Sequence, residues 1–182
     1  MREVRSLFTL VRPRFLFWYW LASLIPDQAM PSIRARLYRL AGCDIERGVA
    51  ILGKVLFIGA GDFPARLHIR AGAIIGLGVT VGLDEHITIG NNVSISPFST
   101  LYTGTHQLGF GSRRMDYAVT PKPISIEDGA WVGMNCVVLP GVTIGRGAVV
   151  SAGSIVKANI AANTLAEGNP ALVINKLPFG NR

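Results

Sequence analysis

From Ile45 onward, large apolar residues return at every sixth position: Ile45, Ile51, Phe57, Phe63, Ile69, Ile75 and Val81. Two places earlier in each unit stand Cys43, Val49, Val55, Gly61, Leu67, Ala73 and Val79, all small or aliphatic. The beat slips by two across Gly82–His86, resumes at Ile89, Ile95 and Leu101, and is interrupted over 102–123. It then runs unbroken through Ile126, Val132, Val138, Ile144, Val150 and Val156. Neither the 3.6-residue period of a helix nor plain strand alternation predicts a beat of six. A short strand with alternating inward residues followed by a tight corner does. Gly76, Gly82, Gly90, Gly133 and Gly145 follow the large apolar residue, where a corner needing positive φ would favour them. Three sixes close one triangular coil of about 18 residues, whose backbone groups are satisfied by the coils above and below. Sixteen such units predict an all-β parallel solenoid of about five coils over 41–162, with 102–123 as a protruding loop.

The beat does not reach either end. Residues 1–40 contain the apolar run Phe15–Ile25, eleven residues long, where a membrane-spanning helix needs about 20. Aromatic residues beside arginines have the composition of a helix lying in a membrane interface. Packing against the protein's own body and a cleaved signal are the other two readings of the same run. Residues 163–182 leave the register: Glu167-Gly-Asn-Pro170 reads as a turn and Ala171–Leu177 as a closing segment. A repeat array needs both ends covered, so a short helical region at 1–40 and a C-terminal cap at 163–182 are expected.

Composition sharpens this picture in two places. Apolar residues make up 49% and charged residues 16% of 182, which excludes a disordered chain. The two cysteines, Cys43 and Cys136, belong to no metal or redox spacing and suit a reduced, cytoplasmic compartment. Of the net charge of +7, residues 1–40 carry +5: seven arginines against Glu3 and Asp27. Such an end suits an anionic surface, and the interleaved aromatics favour membrane phospholipid over nucleic acid.

Candidate chemistry gathers at the two breaks in the beat. Of the three histidines, His106 alone lies in the long interruption. A neutral imidazole there suits proton removal from a hydroxyl. Gly82-Leu-Asp84-Glu85-His86 forms the shorter break, where Asp84 alone could simply make a corner turn and Glu85 and His86 could line a substrate pocket. Arg113 and Arg114, with Tyr117 nearby, could hold a phosphate or carboxylate on a substrate. Trp131 precedes an inward beat and is expected to point outward.

The stretch Ile45–Leu177 resembles the left-handed β-helix hexapeptide acyltransferases, and among them the maltose, galactoside and polysaccharide O-acetyltransferases. The resemblance rests on Ile124-Ser-Ile-Glu-Asp-Gly-Ala-Trp-Val-Gly133, Val138-Leu-Pro-Gly-Val-Thr-Ile-Gly145, Ser151-Ala-Gly-Ser-Ile-Val-Lys157 and Glu167-Gly-Asn-Pro170. It alone implies the left hand, since ordinary crossovers are right-handed. It implies acetyl-CoA as acyl donor with no metal, a sugar or glycan hydroxyl as acceptor, and a homotrimer with sites in the clefts between solenoids. It places His106, in Tyr102-Thr-Gly-Thr-His106, as the base, and Asp84 as a carboxylate at the acceptor. Trp131, Ser151, Ala152, Gly153 and Lys157 fall in the blocks that line the family's CoA groove. Two departures bear on the acceptor: Gly76 stands where the family carries a sugar-contacting Asn, and Gln107 follows the histidine in place of a frequent Pro. A lipid-linked acceptor at the inner membrane face would account for the basic aromatic front end. Two other classes share the fold: a non-catalytic scaffold, and a γ-type carbonic anhydrase. The latter needs three histidines on one zinc, and His68, His86 and His106 are spaced 18 and 20 apart with no close pair.

Overall fold

The structure, a computed structural model, describes residues 12–109, 111–112 and 114–178. Helices α1 (Pro13–Ser23) and α2 (Pro31–Ala41) precede a left-handed parallel solenoid of five full coils and a partial sixth. Each side of a coil is a strand of two or three residues. That length is too short to be stable alone, so the strands exist only through pairing between coils. The first face stacks Ile45, Ile69, Ile89, Ile126 and Ile144. The second stacks Ile51, Ile75, Ile95, Val132, Val150 and Ala166. The third stacks Phe57, Val81, Leu101, Val138 and Val156. All of these except Phe57 are buried, as are the residues two places before them on the three faces. The six-residue beat is therefore the cross-section of one continuous core.

Three expectations need correction. Phe63 keeps the count of six but is no beat: it opens a 3-10 turn, Phe63–Arg66, inside an insertion between Phe57 and Ile69. The insertion adds one whole unit of six, so it leaves the register unbroken and is invisible to a count. The glycines that follow the beat have no positive φ. A Cβ on Gly133 would stand 2.6 Å from the Ala152 backbone nitrogen, so this glycine is required by the close approach of the next coil. The left-handed residue comes two places later, as at Asn135 (φ 60) and Gly153 (φ 74). Finally, the solenoid runs past 162. Thr164–Gly168 adds a strand to the second face on Val149–Val150 and turns back as Ala171–Lys176.

At the N-terminal end the first coil has no coil above it, and alternate residues turn their backbone groups to that open edge. Side chains from the helices meet them on all three faces. Arg39 Nε donates to the Ile45 carbonyl, and Arg34 Nη1 to that of Ile51 at 3.0 Å. At Val55 the N–H donates to the Tyr38 hydroxyl and the C=O accepts from the Tyr19 hydroxyl, both at 3.2 Å. Burial among aromatic rings pushes the Tyr38 hydroxyl up to about 12, so it stays protonated. Two of the N-terminal arginines are thus structural donors to the coil, and α1 and α2 cover its open edge.

Arg34 is wholly buried, and its Nη2 also donates to the carbonyls of Ile25 (2.7 Å) and Pro26 (2.9 Å). Arg34→Leu strands three acceptors at once, the buried Ile51 carbonyl and the part-buried carbonyls of Ile25 and Pro26, and is expected to lower stability by about 3 kcal/mol. Urea unfolding followed by circular dichroism measures this, and an unchanged midpoint would show that the helices are not bolted on through Arg34.

Candidate active site

The three insertions leave the solenoid at one corner, between the third and first faces. Twelve positions separate Phe57 from Ile69, eight separate Val81 from Ile89, and twenty-five separate Leu101 from Ile126, where an uninterrupted corner takes six. Because the coils are in register, these excursions stack on one another. Arg12 fixes the first through Asp62 at 2.6 Å. Arg66, in that insertion, donates to the carbonyls of Leu83 (2.8 Å) and Asp84 (3.1 Å) in the second. Thr103, at the root of the third, donates its hydroxyl to the Gly82 carbonyl (2.7 Å) and accepts from the Glu85 N–H (2.9 Å). Each insertion is thus held by its neighbour.

The third insertion is an antiparallel hairpin, His106–Leu108 against Met115–Val119, with His106 opposite Val119. His106 is exposed, and its Nδ1 lies 2.7 Å from the Asp116 carbonyl oxygen. A carbonyl can only accept, so Nδ1 carries the proton. In the neutral ring the Nε2 lone pair is then left free. Asp84 is brought to the same place: its Oδ2 packs on Gly104, closely enough that a Cβ there would overlap it. Burial raises the Tyr102 hydroxyl pKa, and the nearby Asp84 carboxylate raises it further, so Tyr102 belongs to the cluster. Sequence reasoning missed Tyr102, Arg66 and Thr103 as site residues. Arg66 was hidden inside the insertion that preserves the count of six.

Glu85 and His86 stand at this corner but turn toward the first face. The Glu85 carboxylate accepts from the His86 N–H at 2.9 Å. His86 stacks on His68, with His86 Nδ1 and His68 Nε2 at 2.9 Å, and His68 Nδ1 meets Asp44 Oδ2 at 2.9 Å. The hydrogen bond from His68 lowers the Asp44 pKa, helped by Arg70. One coil apart thus does place His68 and His86 side by side. The facing nitrogens share a hydrogen bond, and among the described residues no three His, Cys, Asp or Glu are placed to hold a metal. Arg114 is exposed near the hairpin end; Arg113 lies outside the described residues, and Tyr117 is described only as a backbone position in the second strand.

Of the residues expected at the CoA groove, Lys157 lies at the same corner two coils on, and the other four lie elsewhere on the prism. Trp131 is 52% exposed on the second face, as its place before Val132 implied, and its indole donates to Ser96 Oγ at 2.9 Å. Ser151, Ala152 and Gly153 form the corner between the second and third faces, with the Ser151 hydroxyl donating to Glu167 at 3.2 Å. Lys157 is exposed just past the last strand of the third face. Within one chain, the third face therefore stands between the His106 corner and the Trp131–Gly153 group.

Residues 123–158 match the family model described as bacterial transferase hexapeptide (six repeats). An Escherichia coli protein named for acetyl transfer in colanic acid biosynthesis, WcaF, is 34% identical over 163 residues, covering 88% of this chain and 85% of that one. The chain spans about half the length of two other curated relatives. These are 44% of a Schizosaccharomyces pombe protein named as an acetyltransferase (48% identical over 50% of this chain) and 53% of the galactoside O-acetyltransferase of Lactococcus lactis (35% identical over 61% of this chain). Among solved structures, a hexapeptide-repeat acetyltransferase of Vibrio cholerae superposes with a TM-score of 0.80 at 29% identity, over 97% of this chain and 94% of that one. The same Vibrio protein has also been solved with acetyl coenzyme A. With the solenoid, the histidine hairpin and a relative matched over most of both lengths, the chain belongs to the hexapeptide-repeat acetyltransferases.

Proposed function

We propose that the protein moves an acetyl group from acetyl-CoA to a hydroxyl of a sugar or glycan, with His106 as general base. The observation that carries this reading is the hydrogen bond from His106 Nδ1 to the Asp116 carbonyl. It orients the ring and reserves Nε2 for the acceptor hydroxyl. As the hydroxyl oxygen attacks the thioester carbonyl carbon, Nε2 takes its proton. Collapse of the tetrahedral adduct breaks the C–S bond, and the departing thiolate recovers the proton from the imidazolium. The products are the O-acetyl ester and free CoA. Asp84, held over Gly104, is suited to accept from a second acceptor hydroxyl and so set which oxygen meets Nε2. The WcaF likeness supports a polysaccharide-type acceptor.

The active unit in this reading is a homotrimer with composite sites. One chain presents the histidine at one corner and four of the groove residues across the third face, and a narrow prism encloses neither. A neighbouring copy laid against the His106 corner supplies the second wall.

His106→Ala is expected to lower turnover by about 10²–10⁴-fold while leaving CoA affinity nearly unchanged. Retention of more than a third of the activity would remove His106 as the base. Gly104→Ala requires no forbidden backbone angle, so its effect is the displacement of Asp84. The acceptor KM is expected to rise several-fold with the acetyl-CoA KM unmoved, and equal changes in both would sink the role given to Asp84. A mixing experiment tests the shared site. His106→Ala and Ala152→Trp, which closes the groove, are each expected to be inactive, yet co-expression restores roughly a quarter of wild-type activity through random assortment in trimers. A mixture no better than its parts, or an active monomer by light scattering, would place the whole site in one chain.

A further inference from the structure

The two helices cover the first coil with one side only. On α1, Phe15, Tyr19 and Ala22 face the body: Phe15 packs on Phe57 and Phe63 at ring separations of 5.4 and 4.8 Å, and Ala22 is fully buried. On its other side Leu16, Phe17, Trp20 and Leu24 are 48%, 54%, 57% and 58% exposed. A helix that is apolar all round is ordinarily buried all round, and this one is buried on half its circumference. α2 packs beside it, with Arg14 Nε donating to the Leu40 carbonyl at 2.7 Å. It turns Ile33, Arg36 and Leu40 outward. At its flank Ser32, Ile33, Arg36, Arg39 and Arg47 line a cavity of about 260 Å³. No described helix is long and apolar enough to cross a membrane.

We propose that this outer side of α1 and α2 is a docking face for an anionic phospholipid surface, with Leu16, Phe17, Trp20 and Leu24 entering the headgroup–acyl boundary and the arginine cavity holding a lipid phosphate. Charge decides the occupant. Pro13–Ser23 and Pro31–Ala41 contain no acidic residue. Among the described residues, Arg36 and Arg47 make no ion pair. The described acids nearest this end are already engaged: Asp27 accepts from the Lys54 N–H (3.2 Å), Asp44 meets His68 and Arg70, Glu46 accepts from Arg70 (3.4 Å) and the Ala71 N–H (2.9 Å), and Asp62 pairs with Arg12. A second copy meeting the face symmetrically would set these arginines against themselves, whereas a bilayer with anionic headgroups pairs with them and buries the aromatic stripe. Trp and Phe beside arginines at the end of a short helix fit the interfacial layer rather than a spanning segment.

The test is co-sedimentation of the full chain with vesicles of phosphatidylcholine containing phosphatidylglycerol, and with phosphatidylcholine alone, at low salt. The wild-type chain is expected to pellet with the anionic vesicles and to be released by high salt. The exposed triple variant Phe17→Ser, Trp20→Ser, Leu24→Ser is expected to bind at least about ten-fold less. Arg36→Glu with Arg47→Glu is expected to abolish the preference for phosphatidylglycerol. Light scattering and thermal melting of each variant show that assembly and fold are unaltered. The proposal is overturned if the wild-type chain stays in the supernatant with both vesicles, or if the triple variant pellets as the wild type does. It is equally overturned if the triple substitution dissociates the oligomer, since the stripe is then an interface between copies. Vesicle binding reads no acetyl transfer, so its failure leaves the function proposed above untouched.

Discussion

Hydrogen bonding from coil to coil is the constraint on which everything else in this molecule depends. A strand of two residues has no stability of its own, and each side of a coil is satisfied only by the coils before and after it. That dependence fixes the register: Val132 must lie between Ile95 and Val150, so a single apolar column forms along each face. It also creates a problem at the first coil, whose alternate backbone groups meet no partner. The chain answers with long donors. Arg34, Arg39, Tyr19 and Tyr38 reach down from α1 and α2 to carbonyls and an N–H on all three faces. A guanidinium suits this because it brings several N–H donors on one buried stem. Part of the basic charge of the N-terminal region is thus the chemistry of ending a solenoid.

The same register turns one corner into a site. Residues added at a corner leave the core untouched provided the following strand rejoins the column, so insertions are tolerated there and stack. Three of them do, and they hold one another through Arg66 and Thr103. The result is a polar cluster of His106, Asp84 and Tyr102 on a rigid base, with little flexible chain between the histidine and the coil. Preorganisation here comes from the solenoid's repeat, which sets the height of each insertion relative to the next.

The periodicity of the apolar residues is sufficient to read the fold, because an inward residue every six positions fits a triangular coil and neither a helix nor a flat sheet. What it conceals follows from the same count. Phe63 falls on the beat by the accident of an insertion six residues long, and Arg66 is hidden with it. The glycines after the beat suggest a special backbone angle, whereas Gly133 shows the reason to be a neighbouring coil at van der Waals distance. At the site, position singles out His106 as the one histidine in the long interruption, and the family resemblance brings out Asp84. The proton on Nδ1 depends on the Asp116 carbonyl, a backbone group brought opposite by hairpin pairing, and no side-chain pattern announces a backbone partner. His68 and His86 carry the opposite lesson: their spacing of 18 is one coil, and the coil sets them in contact.

The N-terminal run illustrates how one segment answers two demands. Sequence alone leaves capping and membrane association as rivals for the aromatic residues of 15–25. In the structure the helix divides them by face. Phe15 and Tyr19 close the coil, while Phe17, Trp20 and Leu24 stay outside. The capping role accounts fully for the inner set and for Arg34 and Arg39, and it accounts for none of the outer set. A cap needs one apolar face and a polar back to be soluble. This cap has apolar residues on its back, beside Arg36 and Arg47, which pair with no acid among the described residues. The residues left over after capping therefore form a more specific pattern than the whole run did: apolar and aromatic side chains on the outer side of α1, beside the outward cations of α2.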